Sequence, residues 1–267
     1  MPSGFILHEL RLSARFVRGY RYLDRAGEAL VRLEDVLEKE WLPAEISPKS
    51  GTMRNDLLGM QLVFNSEGLN VTQEGVLSPP HFLDQACKIL DVLASVLEVD
   101  TFIAPAVGVE YQKGFDAGQE EQAEAGLRNL GLVSVSERVA QIVGATPQAL
   151  TYAMIHRAGD RWGEVRVENT RRLAVQVLRQ ARRESPDQRL LTRAKLLPEK
   201  QRDALTAVLA AKKMMPDVSP LAVQVELENR LEGEIARSDF PCFDFITESL
   251  AWAKDSIGRI AQHATPG

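Results

Sequence analysis

Two carboxylates and a block of arginines are the residues of this chain whose types and spacing suit chemistry. Glu9 and Glu110 fall on alternating segments that a small antiparallel sheet would place side by side, both on the face away from its helices, with Arg11 beside Glu9. Carboxylates held that close have their pKa values driven apart and can serve as acid and base. The same residues also make an ordinary charged pair on an open or domain-facing sheet surface. Arg171, Arg172, Arg179, Arg182, Arg183, Arg189 and Arg193 fall within 23 residues, and guanidinium groups suit bidentate contacts to phosphate or carboxylate. Such a segment either binds a polyanion or a protein partner, or complements the acidic N-terminal half across a domain or subunit interface. Single-strand binders interleave aromatic residues for base stacking, and here Trp162 stands apart from the arginines.

Other signatures are missing. There is no Gly-rich phosphate loop followed by Lys-Ser/Thr, no dinucleotide fingerprint, no H-E-x-x-H and no G-x-S-x-G. His8, His81, His156 and His263 have no second histidine at metal-ligand spacing, so neither a metal nor a cofactor is expected. His156 shares a strand face with Tyr152 and Met154, where it reads as a packed histidine or, alternatively, a general base. Cys87 and Cys242 lack partners at metal-ligand spacing and are expected as reduced thiols, with Cys87 on a helix flank.

The elements that must position these residues are clearest from Leu58 to Tyr111. Met60, Leu62 and Phe64, then Leu69 and Val71, alternate with polar or smaller neighbours about an Asn65-Ser66-Glu67-Gly68 turn, which predicts a hairpin with one apolar face. Ser78 and Pro79 predict the start of a helix running to Glu98. Phe82, Ala86, Ile89, Leu90, Leu93 and Leu97 form its apolar face, with Asp84, Gln85, Lys88 and Asp91 turned away. A strand follows over Thr101 to Tyr111. Upstream, Phe5 to Phe16 alternates with Ile6, Leu10, Leu12, Ala14 and Phe16 inward, and Tyr22 to Leu37 shows helical spacing. Pro43 and the Ser47 to Gly51 cluster read as a loop. The resulting order of strand, helix, strand, strand, helix, strand is the ferredoxin-like βαββαβ pattern.

The second half alternates more locally, with strands predicted over Leu150 to Arg157, Trp162 to Asn169 and Leu221 to Glu228, and a closing helix carrying Ile246, Leu250, Ala253, Ile257 and Ile260. The expected organisation is an α+β chain: a ferredoxin-like domain over residues 1–113, an acidic linker over 114–131, and a second α+β sandwich domain over 132–267. That second domain holds the basic segment and the C-terminal helix, and reads as a degenerate copy of the first.

Charge is segregated along the chain. Residues 1–130 hold 12 Lys and Arg against 20 Asp and Glu, residues 138–215 hold 16 against 7, and residues 216–267 hold 4 against 9. The total of −5 over 267 residues hides a basic middle between acidic flanks. A composition of 45% hydrophobic and 26% charged residues is that of a globular protein, without a run long enough to span a membrane. The opening Met1-Pro2-Ser3-Gly4 lacks the basic and apolar regions of a signal peptide, so a cytoplasmic location is expected.

The order of elements, with Val107-Gly108-Val109-Glu110-Tyr111 closing the first unit and a helix after the last alternating strand, resembles a sporadically distributed family of uncharacterised bacterial two-domain α+β proteins. The resemblance implies a fold and no activity or site residues. Together these features predict a non-enzymatic interaction or regulatory protein, self-associating or bound to a protein partner. The alternative is an RNA- or DNA-binding protein, a metal-independent ribonuclease included, that uses residues 171–193.

Overall fold

A computed structural model of the chain describes residues 4–76, 78–116, 142, 151–158, 161–170 and 218–263. In chain order these form β1 (Ile6–Phe16), α1 (Tyr22–Val36), β2 (Leu42–Ile46), β3 (Gly51–Asn55), β4 (Met60–Phe64), β5 (Gly68–Glu74), α2 (Pro79–Val96), β6 (Thr101–Asp116), β7 (Thr151–Ala158), β8 (Arg161–Thr170), β9 (Val218–Leu231), β10 (Glu234–Ala236) and α3 (Cys242–His263). A single 3-10 turn, Arg237–Asp239, leads into α3. The fold is mixed α and β. The described strands belong to one antiparallel sheet in the order β2-β3-β4-β5-β1-β6-β9-β8-β7, with β10 joining the early part of β6.

Alternation in the strands decides which face the helices cover. Leu10 and Leu12 of β1, Leu62 of β4, Val71 of β5, Val107 and Val109 of β6, and Val225 and Leu227 of β9 point to the helix side and are buried. Against them lie Tyr22, Ala26, Ala29, Leu30 and Leu33 of α1 and Phe82, Ala86, Ile89, Leu90 and Leu93 of α2. Removing each larger apolar side chain from water contributes roughly 1.5 to 3 kcal/mol, so the α2 face alone suffices to anchor the sheet. Helix α3 contributes Phe245, Ile246, Ala253 and Ile257 to the same core. A line of rings, Phe16 to Phe102 to Phe240 to Phe245 at centroid spacings of 6.4, 5.7 and 5.6 Å, runs from β1 to α3. Described residues on both sides of the expected 114–131 linker thus share one sheet and one core.

Several local expectations are corrected. The stretch read as a loop after α1 carries two strands, β2 and β3. Pro43 sits in the outermost strand, where a missing N–H costs no ladder bond, and every residue of β2 is exposed. In β1 the register shifts between Leu7 and Glu9, which reverses the inward side. Phe5 is therefore buried while Ile6 is exposed. Gln85 does not face solvent: it is buried, and its Oε1 accepts a hydrogen bond from Trp41 Nε1 at 3.2 Å. Ser78 occupies the N-cap of α2 without a side-chain cap, and its carbonyl accepts from the amides of His81 and Phe82.

The turn before β5 is built by Asn65, whose Oδ1 accepts from the amides of Glu67 and Gly68 at 2.8 and 3.1 Å. Gly68 is required there for closeness rather than for an unusual φ: a Cβ would stand 2.3 Å from the carbonyl oxygen of Ala14.

Candidate functional site

The polar groups gather on the sheet face that the helices leave uncovered, and strand register arranges them in two rows. In the first row Arg11 of β1 stands opposite Gly108 of β6, and Gly108 stands opposite Glu228 of β9. The lack of a side chain at Gly108 gives the arginine its path across β6, since a Cβ there would lie 2.9 Å from Arg11 Nη2. Beyond it, Nη2 donates to Glu226 Oε1 at 2.7 Å and to Glu228 Oε2 at 2.9 Å. Arg230 Nε and Nη2 donate to the other carboxylate oxygen of Glu228. Burial alone would lower the Arg11 pKa; hydrogen bonds and charge from Glu226 and Glu228 outweigh it and hold the guanidinium above its ordinary value.

The second row consists of carboxylates: Glu74 of β5, Glu9 of β1, Glu110 of β6 and Glu226 of β9 stand opposite one another in succession. Like charges directly across strands destabilise a sheet, so such a row needs compensation. Glu110 receives it from two amides, Gln112 Nε2 at 2.7 Å and Gln224 Nε2 at 2.6 Å. Glu226 receives it from Arg11. Glu9 responds with a raised pKa. Burial raises its pKa, Arg11 pulls it back, and Glu74 and Glu226 add to the rise. His8 sits at the β1 bulge with Nε2 4.0 Å from Glu110 Oε1, beyond hydrogen-bonding range, and burial lowers its pKa against an opposing effect of Glu74.

Of the residues singled out from sequence, Glu9, Arg11 and Glu110 are brought together, and Glu9 and Glu110 are direct cross-strand neighbours. Glu74, Glu226, Glu228 and Arg230 complete the group, and sequence reading passed over them. For the three on β9 the signal is the unbroken alternation of that strand, which assigns Gln224, Glu226, Glu228 and Arg230 to one side; Glu74 ends β5. His156 lies on β7 and is exposed, unlike the packed histidine expected. The seven arginines from Arg171 to Arg193 lie outside the described residues.

Chemically, Arg11, Glu110, Glu226 and Glu228 are engaged with one another or with amides. Glu110 has both oxygens engaged by amides, and Arg11 is spent on two carboxylates. Two surface depressions border Arg15 to Tyr20 with Ser66 and Glu67, and Tyr22 to Gly27 with Ile46 to Pro48; neither touches Glu9 or Glu110. Among the described residues no group of three or more His, Cys, Asp or Glu side chains is arranged to hold a metal ion, and no helix is long and apolar enough to cross a membrane.

The two edges of the sheet differ in a way that bears on association. Strand β2 carries Pro43, a register shift between Pro43 and Glu45 against β3, and an exposed acid at Glu45. These features blunt an edge against pairing with another chain. Strand β7 has none of them. It runs in unbroken register with β8 from Thr151 opposite Glu168 to Ala158 opposite Arg161, and β8 is its one strand partner among the described residues. Residues 153 to 157 are exposed, Ile155 at 70%.

No protein-family model matches this chain, and no curated protein matches it.

Proposed function

We propose that this chain is a self-associating interaction protein, without a catalytic role of its own, whose copies join along β7. The observation that carries the reading is the contrast between the blunted β2 edge and the regular, exposed, partly apolar β7 edge. A second copy fits that edge by symmetry. Pairing β7 antiparallel with itself about a twofold at Ile155 sets Ile155 against its own copy, Met154 against His156 and Ala153 against Arg157. No two like charges then meet. The engaged state of Glu110 and Arg11 supports the non-catalytic part of the proposal, because a polar face neutralised by its own side chains is a support for neighbouring surfaces.

The inner strands β4-β5-β1-β6, with α1 and α2 on one side, are read as a ferredoxin-like unit to which further strands have been added on both flanks; the strand order supports this.

Light scattering on the full chain at micromolar concentration tests the association. A dimer that Ile155→Lys converts to monomer, with circular dichroism unchanged, is the expected result. A monomeric wild type, or a dimer indifferent to Ile155→Lys, overturns the proposal.

A second reading rests on the 16 Lys and Arg against 7 Asp and Glu of residues 138–215, a density that suits RNA or DNA. It requires binding to a single-stranded or duplex oligonucleotide that weakens steeply with added salt and is lost when Arg179, Arg182 and Arg183 become Gln. Binding that is absent at low salt removes this reading.

A further inference from the structure

We propose that Cys87 and Cys242 form a reversible intramolecular disulfide that fastens the start of α3 to the side of α2. They are the two cysteines of the chain, separated by 155 positions, yet their Sγ atoms meet at 2.8 Å as free thiols. Two sulfurs so far apart in sequence stand here within about 1 Å of the roughly 2.05 Å of a disulfide bond. Both residues are half-buried beside the core, so a small thiol reagent reaches them while the surrounding side chains hold them in register. The neighbourhood is already tied across the same seam. Arg237 Nη2 donates to the carbonyl of Asp91 in α2 at 3.2 Å, and the Arg237 amide donates to the carbonyl of Asp100 at 2.8 Å.

The exchange with glutathione disulfide balances without another reactant. One protein thiolate attacks a sulfur of glutathione disulfide and expels a glutathione thiolate, leaving a mixed disulfide; the second protein thiolate then displaces the remaining glutathione. The protein loses two electrons and two protons, and the oxidised reagent becomes two molecules of glutathione. The hydrogen bond to Cys87, then burial, hold the Cys242 thiol well above its ordinary range, which slows attack by that sulfur at neutral pH. Oxidation would convert the noncovalent seat of α3 into a covalent one and close a long loop. The reduced chain would keep α3 on apolar contacts and on the hydrogen bond from Asn229 Nδ2 to Ser249 Oγ.

The test incubates reduced, full-length protein in glutathione buffers of increasing oxidised fraction, followed by alkylation and intact-mass measurement. Expected is a monomolecular species about 2 Da lighter that resists alkylation, is restored by dithiothreitol, and melts about 5–10 °C higher than the reduced form. Cys87→Ser and Cys242→Ser should each end as a glutathione adduct with no gain in melting temperature. If either variant fails to fold, the wild-type mass and melting shift still decide the matter. Complete alkylation of both residues in the most oxidised buffer, persistent glutathione adducts on the wild type, or disulfides between copies would each overturn the proposal.

Discussion

Arg11 and Glu228 stand 217 positions apart in the chain and meet at 2.9 Å across Gly108. The glycine is the condition for the contact. Valine at 108 is expected to push the guanidinium off its course and leave the Glu228 carboxylate, 8% exposed, with Arg230 alone. Breaking a buried pair costs about 3–5 kcal/mol, and the partial exposure of Arg11 reduces that here to about 1–3 kcal/mol. Urea unfolding of Gly108→Val and Arg11→Met measures it. Equal losses from the two, with no further loss in the double variant, are expected if both act through the same contact.

Glu9 makes stability depend on pH in the sense opposite to an ordinary ion-paired carboxylate. Its pKa in the folded chain is raised above the usual 4.5, by burial first. The folded state therefore holds the proton more tightly than the unfolded one. Stability from this group is fully present below 4.5 and is lost as pH rises through the folded value. Glu9→Gln is expected to raise the melting temperature at pH 7 and to leave it unchanged at strongly acidic pH. A variant that is no more stable at pH 7 would show that burial of the Glu9 carboxylate costs the fold nothing.

His8 behaves in the complementary way. Burial lowers its pKa from the usual 6.5, so its contribution is present above 6.5 and is lost as pH falls through the folded value. His8→Gln should flatten the pH dependence of stability on the acid side of 6.5 while leaving the alkaline side alone, as followed by thermal melts in a pH series.

Glu98 follows α2 with φ at 53°, a left-handed conformation that glycine takes without steric cost. Its carboxylate meets Arg21 at 3.2 Å and Arg25 at 2.8 Å, both pairs well exposed. Exposed pairs contribute about 0–1 kcal/mol, and relief of the left-handed strain about 1 kcal/mol. Glu98→Gly is thus expected to be neutral to slightly stabilising in denaturant titration, and Glu98→Val clearly destabilising. A loss from glycine as large as that from valine would show that the ion pairs dominate.

Ser249 joins α3 to the sheet. Its hydroxyl accepts from Asn229 Nδ2 at 2.9 Å and donates to the Phe245 carbonyl at 2.7 Å, all out of water. Ser249→Ala strands the amide of Asn229 and should cost about 1–3 kcal/mol in chemical denaturation. Ser249→Ala with Asn229→Leu should recover part of that loss, because the orphaned donor is gone.

The parts of the fold governed by short-range periodicity were readable in advance. The apolar faces of α1 and α2 and the strands from β4 to β6 follow from spacing alone, and the opposition of Glu9 and Glu110 follows from the strand order expected of those elements. Strands β2 and β3 escaped notice because Pro43 and the Ser47 to Gly51 cluster carry the chemistry of turns, and an outermost strand tolerates it. Gln85 was misassigned because an amide on a helix reads as solvent-facing until a partner such as Trp41 is known. Glu74, Glu226 and the meeting of the two cysteines depend on pairing between remote segments, and local patterns are silent about that. Ile6 shows the limit within a single strand, since one extra residue at the bulge reverses the side on which everything before it points.

Strand β6 is shared by β1 on one side and by β9 and β10 on the other. As the chain is synthesised from its N-terminus, β6 finds β1 early, but β9 arrives only after about a hundred further residues have been added. Until then the side of β6 that β9 pairs lacks that partner. A chain that ends before Val218 lacks β9, and the rim of β6 that β9 covers is then open to pairing with another chain.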